Sequence, residues 1–379
     1  MLPDNTAALK LPIKVLFAIL LLGILAIPLK APLSIGGILG LSDFSRVGIA
    51  MALFAFGFST VVTRQTLKIQ DFDFVIGAII ATCAVGPFGT IVGWLIFERS
   101  SRWREHKSIA GQLLATSPLI ISAIILAVVC RSFSYDGIAN SILLQHGGLG
   151  IKFWLPFVLW IFGIVFVTLR TLDTDAQDHW KANFMQMAIL FGQIPFFMIV
   201  FAPVLERWQG LILPGGLMLL LTSVLSATKR ESPEAGISHS MLINLGLFLL
   251  AMSVSTDRVV IAWIMYGIMS VPTMFAPVEG KRNLVGLLKL STYVGYLLVL
   301  TALWRENSYI GLAALLATAQ FEYVNGNRTH ESRDTESEMP DRRPTIISVF
   351  LSIAMVLFAQ PLYAFVARAV GELFLGTKN

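Results

Sequence analysis

Residues 241–277 read MLINLGLFLLAMSVSTDRVVIAWIMYGIMSVPTMFAP, and their pattern decides the fold. Two apolar runs, 241–255 and 259–277, flank Asp257 and Arg258 with almost no linker between them. Neither run alternates apolar with polar residues, so the period-two signature of a membrane barrel strand is missing. Each approaches the length of a bilayer crossing, about 20 apolar residues. Two helices joined by a tight turn with a local ion pair follow from this spacing.

Working outward, further apolar runs bounded by charge or turn residues fall at 13–29, 47–62, 74–97, 109–130, 153–169, 184–205, 211–227, 284–303, 308–321 and 345–367. The expected fold is all-α, a polytopic transmembrane bundle of about 11–12 helices. Composition agrees: 56% of the 379 residues are hydrophobic, 13% are charged and the mean hydropathy is +0.75. Soluble proteins average roughly twice that share of charge, so the lipid bilayer is the first partner to expect. The net charge of +5 comes from basic residues scattered between apolar runs. Without a dense basic patch interleaved with exposed aromatics, it reads as topogenic charge, and no nucleic acid is expected. Cys83 and Cys130 sit inside or at the end of apolar runs, with no metal or redox spacing, and read as packing residues.

The first run follows Lys10 and Lys14 without a small-x-small cleavage pattern, so it is expected to be a transmembrane helix and not a signal peptide. Residues 322–344, EYVNGNRTHESRDTESEMPDRRP, are almost devoid of apolar content and read as a flexible loop. The expected organisation is a bundle over 1–321, this loop over 322–344, and a final transmembrane helix with a C-terminal tail over 345–379. The sequon Asn327-Arg328-Thr329 would matter only in a lumenal setting. A modest Lys and Arg bias places loops 98–107, 170–183 and 322–344 on the cytoplasmic side of a bacterial inner membrane.

Phosphate loop, zinc spacing and serine elbow are all missing, so no catalytic activity is expected of the chain alone. Ionisable residues inside apolar runs are the next candidates, because each costs about 2.5–3.5 kcal/mol at a bilayer centre. Lys289, in LVGLLKLSTYVGYLLVL, is the clearest, a candidate proton-path residue if burial lowers its pKa. Its stem also lies within about two helical turns of Arg282 and can snorkel to that boundary. His239, in EAGISHSMLINLG, is a second proton-path candidate, since an imidazole at a helix start can pass protons between water and a membrane path. Gln112, Gln186, Gln193 and Gln360 would line a hydrated route or bond between helices. Pro87, Pro118, Pro195, Pro272 and Pro361 permit broken helices. The densest charge is at 165–183, VFVTLRTLDTDAQDHWKAN, where Arg170, Asp173, Asp175 and Asp178 form a candidate coupling or subunit-contact cluster.

Three consecutive stretches carry a resemblance. GPFGTIVGWLIFERSSRWREHKSIAGQLLATSPLIISAIILAVV is followed by SYDGIANSILLQHGGLGIKFWLPFVLWIFGIVFVTLRTLDTDAQDHW and then FMQMAILFGQIPFFMIV. Their order resembles the membrane subunit of complex I and energy-converting hydrogenases that contacts the peripheral arm and helps to form the quinone site. Against that family's charged junction loop, Asp173 and Asp178 fall on acidic positions, and Arg170 matches its Arg after a one-residue deletion. Gly111 also matches, whereas Leu114, Pro118 and Ala123 stand where the family carries Arg, Gln and Glu. A second stretch, LLLTSVLSATKRESPEAGISHSMLINLGLFLLAM, is similar to antiporter-like membrane-arm subunits around a Lys-Arg turn and Ser-rich helix start.

The resemblance implies a divergent membrane-arm subunit of a complex-I-like or hydrogenase-like assembly that translocates protons or ions, with a scaffold form as one version. It implies other membrane-arm subunits as partners, with Arg170, Asp173, Asp175 and Asp178 at a subunit junction. A quinone would be held by the assembly and not by this chain alone. From the residues, two other readings stay open. One is a stand-alone secondary transporter of a small solute, with proline-broken helices around a midplane site. The other is a membrane enzyme acting on a lipid-linked substrate, for which the 170–178 cluster would supply the charge.

Overall fold

A computed structural model describes residues 33–35, 39–62, 69–102, 109–144, 151–170, 179–201, 205–229, 233–254, 256–275, 287, 289–331 and 343–375. Two short antiparallel strands, β1 (Leu33–Ile35) and β2 (Leu39–Leu41), pair Leu33 with Leu41. All other regular structure among the described residues is helical. Helices α1 (Asp43–Val62), α2 (Ile69–Cys83), α3 (Pro87–Arg102), α4 (Ile109–Cys130), α5 (Tyr135–Leu144), α6 (Ile151–Arg170) and α7 (His179–Pro195) form the first half. The second half holds α8 (Leu205–Lys229), α9 (Pro233–Val254), α10 (Asp257–Phe275), α11 (Leu290–Glu306), α12 (Ser308–Glu331), α13 (Arg343–Leu357) and α14 (Ala359–Leu375).

The expected all-α bundle is what the chain adopts, yet two runs read as single spans are each split. Residues 74–97 fold into α2 and α3, packed against each other, with the break at Ala84-Val85-Gly86. Proline at 87 has no N–H to continue a helix and is well placed to start one. Ala84 leaves the helix to form a β-bridge with Leu39. The two helices lie so close that a Cβ on Gly93 would sit 2.4 Å from the Ala81 nitrogen, so only glycine fits there. Residues 345–367 likewise divide into α13 and α14, bent by 68° around Phe358. A third element, α5, lies between the expected runs; its first turn is capped by the Ser134 hydroxyl, which accepts the Gly137 N–H at 3.2 Å. Helix α12 continues to Glu331, ten residues into the stretch expected to be a loop.

Proline also reshapes α7. Pro195 cannot donate to the preceding turn, and the chain widens into a π-helical segment over Phe196–Phe201. That segment delivers Phe196 and Phe197 to the middle of the core. Trp160 of α6 stacks on Phe196 at 4.2 Å, Phe197 meets Phe248 of α9 at 5.5 Å, and Phe248 meets Trp263 of α10 at 4.9 Å. This aromatic ladder ties the two halves together, each pair contributing about 0.5–1.5 kcal/mol beyond its buried area.

Among the described residues no single helix is both long and apolar enough to cross a membrane by itself. Two bent pairs are, Thr116–Cys130 with Tyr135–Leu144 and Ile346–Leu357 with Ala359–Gly371. Leu114, Val128, Leu316 and Phe350 stand on the outside of the bundle, each more than 60% exposed. An apolar exterior of this kind suits lipid and not water.

Candidate functional site

Charge is scarce inside the bundle. Among the described side chains Arg46 of α1 is the only buried charged one, and it pairs with Asp43 one turn earlier at 2.7 Å. The helix start holds the pair in place: the Ser42 and Ser45 hydroxyls each accept the other residue's backbone N–H, at 3.2 and 2.8 Å. The Coulomb attraction and hydrogen bond compensate Arg46 for leaving water.

The most extended buried polar feature is a seam of neutral groups where α9, α10, α11 and α13 meet. Its centre is the Tyr266 hydroxyl, which bonds Asn244 Oδ1 and, at 3.2 Å, the Tyr296 hydroxyl. The two tyrosine rings stack with centroids 4.5 Å apart. This closeness depends on Gly295, where a Cβ would lie 2.8 Å from Tyr266 Cα. Further along, the Ser291 hydroxyl donates to the Met269 carbonyl at 2.7 Å. Ser352 of α13 donates its hydroxyl proton to Ser291 Oγ and accepts the Ser291 N–H, both at 3.0 Å. Thr273 and Thr292 pair their hydroxyls at 3.2 Å on the same α10–α11 interface.

Lys289 closes the seam. It is not inside a helix: it occupies the N-cap position of α11, half-buried, and its carbonyl accepts the Tyr293 N–H at 2.9 Å. The lysine sits at the entrance of α11, which begins at Leu290. From there to Tyr296 is about 10 Å of helix rise. Between them the seam offers hydroxyls and one amide, which bond protons firmly and do not release them near neutral pH. The arrangement can lock four helices in register. Among its described residues there is no carboxylate or imidazole on which a proton could rest.

The other expected residues are dispersed. Arg170 is the last residue of α6, while Asp173, Asp175 and Asp178 lie outside the described residues. His239 lies in the second turn of α9, about 7 Å of rise before Asn244. Gln186 and Gln193 are fully buried on α7, whereas Gln360 is exposed on α14. Asp257 and Arg258 are the first two residues of α10 and both are exposed; Asp257 Oδ1 accepts the Arg258 backbone N–H at 2.9 Å, and the ion pair expected there is not among the described contacts. Sequence reading missed the Asp43–Arg46 pair, which lies just before the 47–62 run. The capping pattern Ser42-x-x-Ser45 was the available signal.

The fold and a charge-poor, hydroxyl-rich interior define a polytopic helical membrane protein. Similar folds are seen in chains of three membrane assemblies. A chain of the Mrp complex from Dietzia sp. DQ12-45-1b matches 95% of this chain at 15% identity with a TM-score of 0.73. This chain spans about half of that one, 49% of its length. A chain of respiratory complex I from Thermus thermophilus with bound NADH matches over all of this chain and 96% of its own, at 12% identity and a TM-score of 0.70. A chain of the membrane-bound sulfane sulfur reductase, an archaeal respiratory membrane complex, matches 94% of this chain and 73% of its own, at 13% identity and a TM-score of 0.71. No protein-family model and no curated protein sequence matches. The chain thus shares its fold with chains of these three assemblies, at 12–15% sequence identity.

Proposed function

We propose that this chain is a membrane-arm subunit of a multisubunit complex-I-like, hydrogenase-like or Mrp-like assembly, and that it serves as a scaffold without a conducting path of its own. One observation carries the first part: nearly the whole chain shares its fold with membrane subunits of three such assemblies. The neutrality of the α9–α10–α11–α13 seam supports the second. A proton relay needs groups that gain and lose a proton near neutral pH, and between Lys289 and Tyr296 the described hydrogen bonds of the seam run through hydroxyls and an amide. In this reading Lys289 anchors the start of α11, and His239 stays a proton-path candidate on α9, the helix that contributes Asn244.

The 170–183 stretch, with Arg170, Asp173, Asp175 and Asp178, is the contact surface for a neighbouring subunit in this proposal. Together with 98–107 and 322–344 it faces the cytoplasm of a bacterial inner membrane. In this proposal a quinone would be held by the assembly and not by this chain alone. At the positions where the resemblance would require polar side chains, this chain has Leu114, exposed on the outer face, Pro118, and Ala123, fully buried. None of the three offers a side-chain hydrogen bond.

Purification from native membranes in mild detergent through a tag on this chain, followed by mass spectrometry, tests the reading. Recovery of several other membrane chains in fixed ratio is expected. A lone chain or a homo-oligomer would show the assembly reading to be wrong. Autonomous proton or sodium flux in liposomes holding only this chain would overturn the scaffold role.

A further inference from the structure

One outer face of α14 interrupts the apolar exterior of the bundle. Ile346–Leu357 of α13 and Ala359–Gly371 of α14 are together long and apolar enough to cross a membrane. Within that span Gln360, Pro361, Ala364 and Arg368 are exposed, at spacings that put them on one side of α14. Val366, Ala369 and Val370 on its other side are buried where α14 packs on α1 and α10. No described hydrogen bond or ion pair engages Gln360 or Arg368, although Glu372 stands one turn further on. By contrast, the exposed Thr222 hydroxyl of α8 donates to the Met218 carbonyl of its own helix at 2.7 Å. A third polar group lies just before Gln360. Pro361 has no N–H to offer the Leu357 carbonyl, and the Leu362 N–H is spent on the Phe358 carbonyl at 3.1 Å.

A charge or an amide facing hydrocarbon is costly, and such residues in membrane helices pair with other protein groups. Gln360 decides what the partner is. It lies near the middle of the span, out of reach of a lipid headgroup, and about 12 Å of helix rise from Arg368. A headgroup phosphate would answer Arg368 alone, whereas a second helix lying along α14 answers both. We propose that this face of α14 docks a transmembrane helix of a neighbouring subunit. That helix sets a carboxylate against Arg368 and, about two turns away, a hydrogen-bonding side chain against Gln360. Ala364, between them, lets the two backbones approach closely. The Leu357 carbonyl offers the same helix a further acceptor. The inference rests on the reading of this chain as one subunit of an assembly.

Photo-crosslinking in native membranes tests it, with a diazirine amino acid in place of Leu357, whose side chain is 75% exposed beside this face. The expected product is one membrane chain, among those recovered with the tagged protein. Arg368→Asp is expected to abolish that product. Arg368→Met, which a lipid-facing helix accommodates, is expected to weaken it with helical content unchanged. Exchanging the captured chain's carboxylate nearest the cross-link for lysine should restore the product in Arg368→Asp. If partner chains co-purify but the cross-link reaches only lipid or a second copy of this chain, the docking face is wrong and the assembly reading stands. A product that survives both Arg368 variants undiminished would also overturn the inference. Recovery of no partner chain from the unaltered protein would defeat the assembly reading first, and this inference with it.

Discussion

Replacing Asp43 with Asn removes one charge from the Asp43–Arg46 pair while preserving its shape. The two side chains are 16% and 7% exposed and meet at 2.7 Å. Breaking a buried ion pair from one side typically costs about 3–5 kcal/mol. The folded-to-unfolded ratio should then fall by roughly two to four orders of magnitude. Replacing both partners, Asp43→Leu with Arg46→Met, should recover most of that loss, because apolar replacement of a whole buried pair is often neutral or better. The recovery should fall short by about 0.3–1 kcal/mol, since Asp43 lies in the first turn of α1 and complements its dipole. Equilibrium unfolding in mixed micelles, followed by circular dichroism, measures all three proteins. If Asp43→Asn matches the unaltered protein, or the double variant is no better than the single one, the structural role given to this pair is wrong. A double variant that folds and assembles yet abolishes ion coupling of the complex would make Arg46 a functional charge.

Three other outcomes follow from the same physics. Tyr266→Phe removes the hydroxyl that Asn244 Oδ1 bonds and should lower stability by about 0.6–1.7 kcal/mol, with ion flux through the purified assembly unchanged. Gly295→Val drives a side chain into Tyr266 of the facing helix and should cost about 1–3 kcal/mol, visible as a lower unfolding midpoint. Asp173→Asn with Asp178→Asn should reduce recovery of partner chains in the tagged purification while leaving the helical content of this chain intact.

The helices were legible because an apolar run long enough for a membrane has few alternatives. Their breaks were less so: hydropathy is blind to direction, so 74–97 and 345–367 each read as one span although both contain a proline at or near the bend. Gly93 shows why the first hairpin closes, but its meaning depends on where Ala81 lies, a long-range contact. Lys289 stood out by charge, and its place at the N-cap of α11 depends on local backbone geometry that hydropathy does not carry. The seam itself was hidden. Serine, threonine and tyrosine are ordinary in membrane helices, and Ser291 with Ser352, 61 positions apart, become partners only in three dimensions. For Gln193 the sequence leaves open a hydrated route or a bond between helices, and only the fold supplies Trp160 of α6 as its partner.

Single-particle cryo-electron microscopy of the complex, purified from native membranes through a tag on this chain, is the most direct test of the scaffold-subunit account. The expected map shows this fold flanked by other membrane chains, with residues 170–183 covered by one of them. A map showing the chain alone or only with copies of itself, its 170–183 stretch open to solvent, would contradict it.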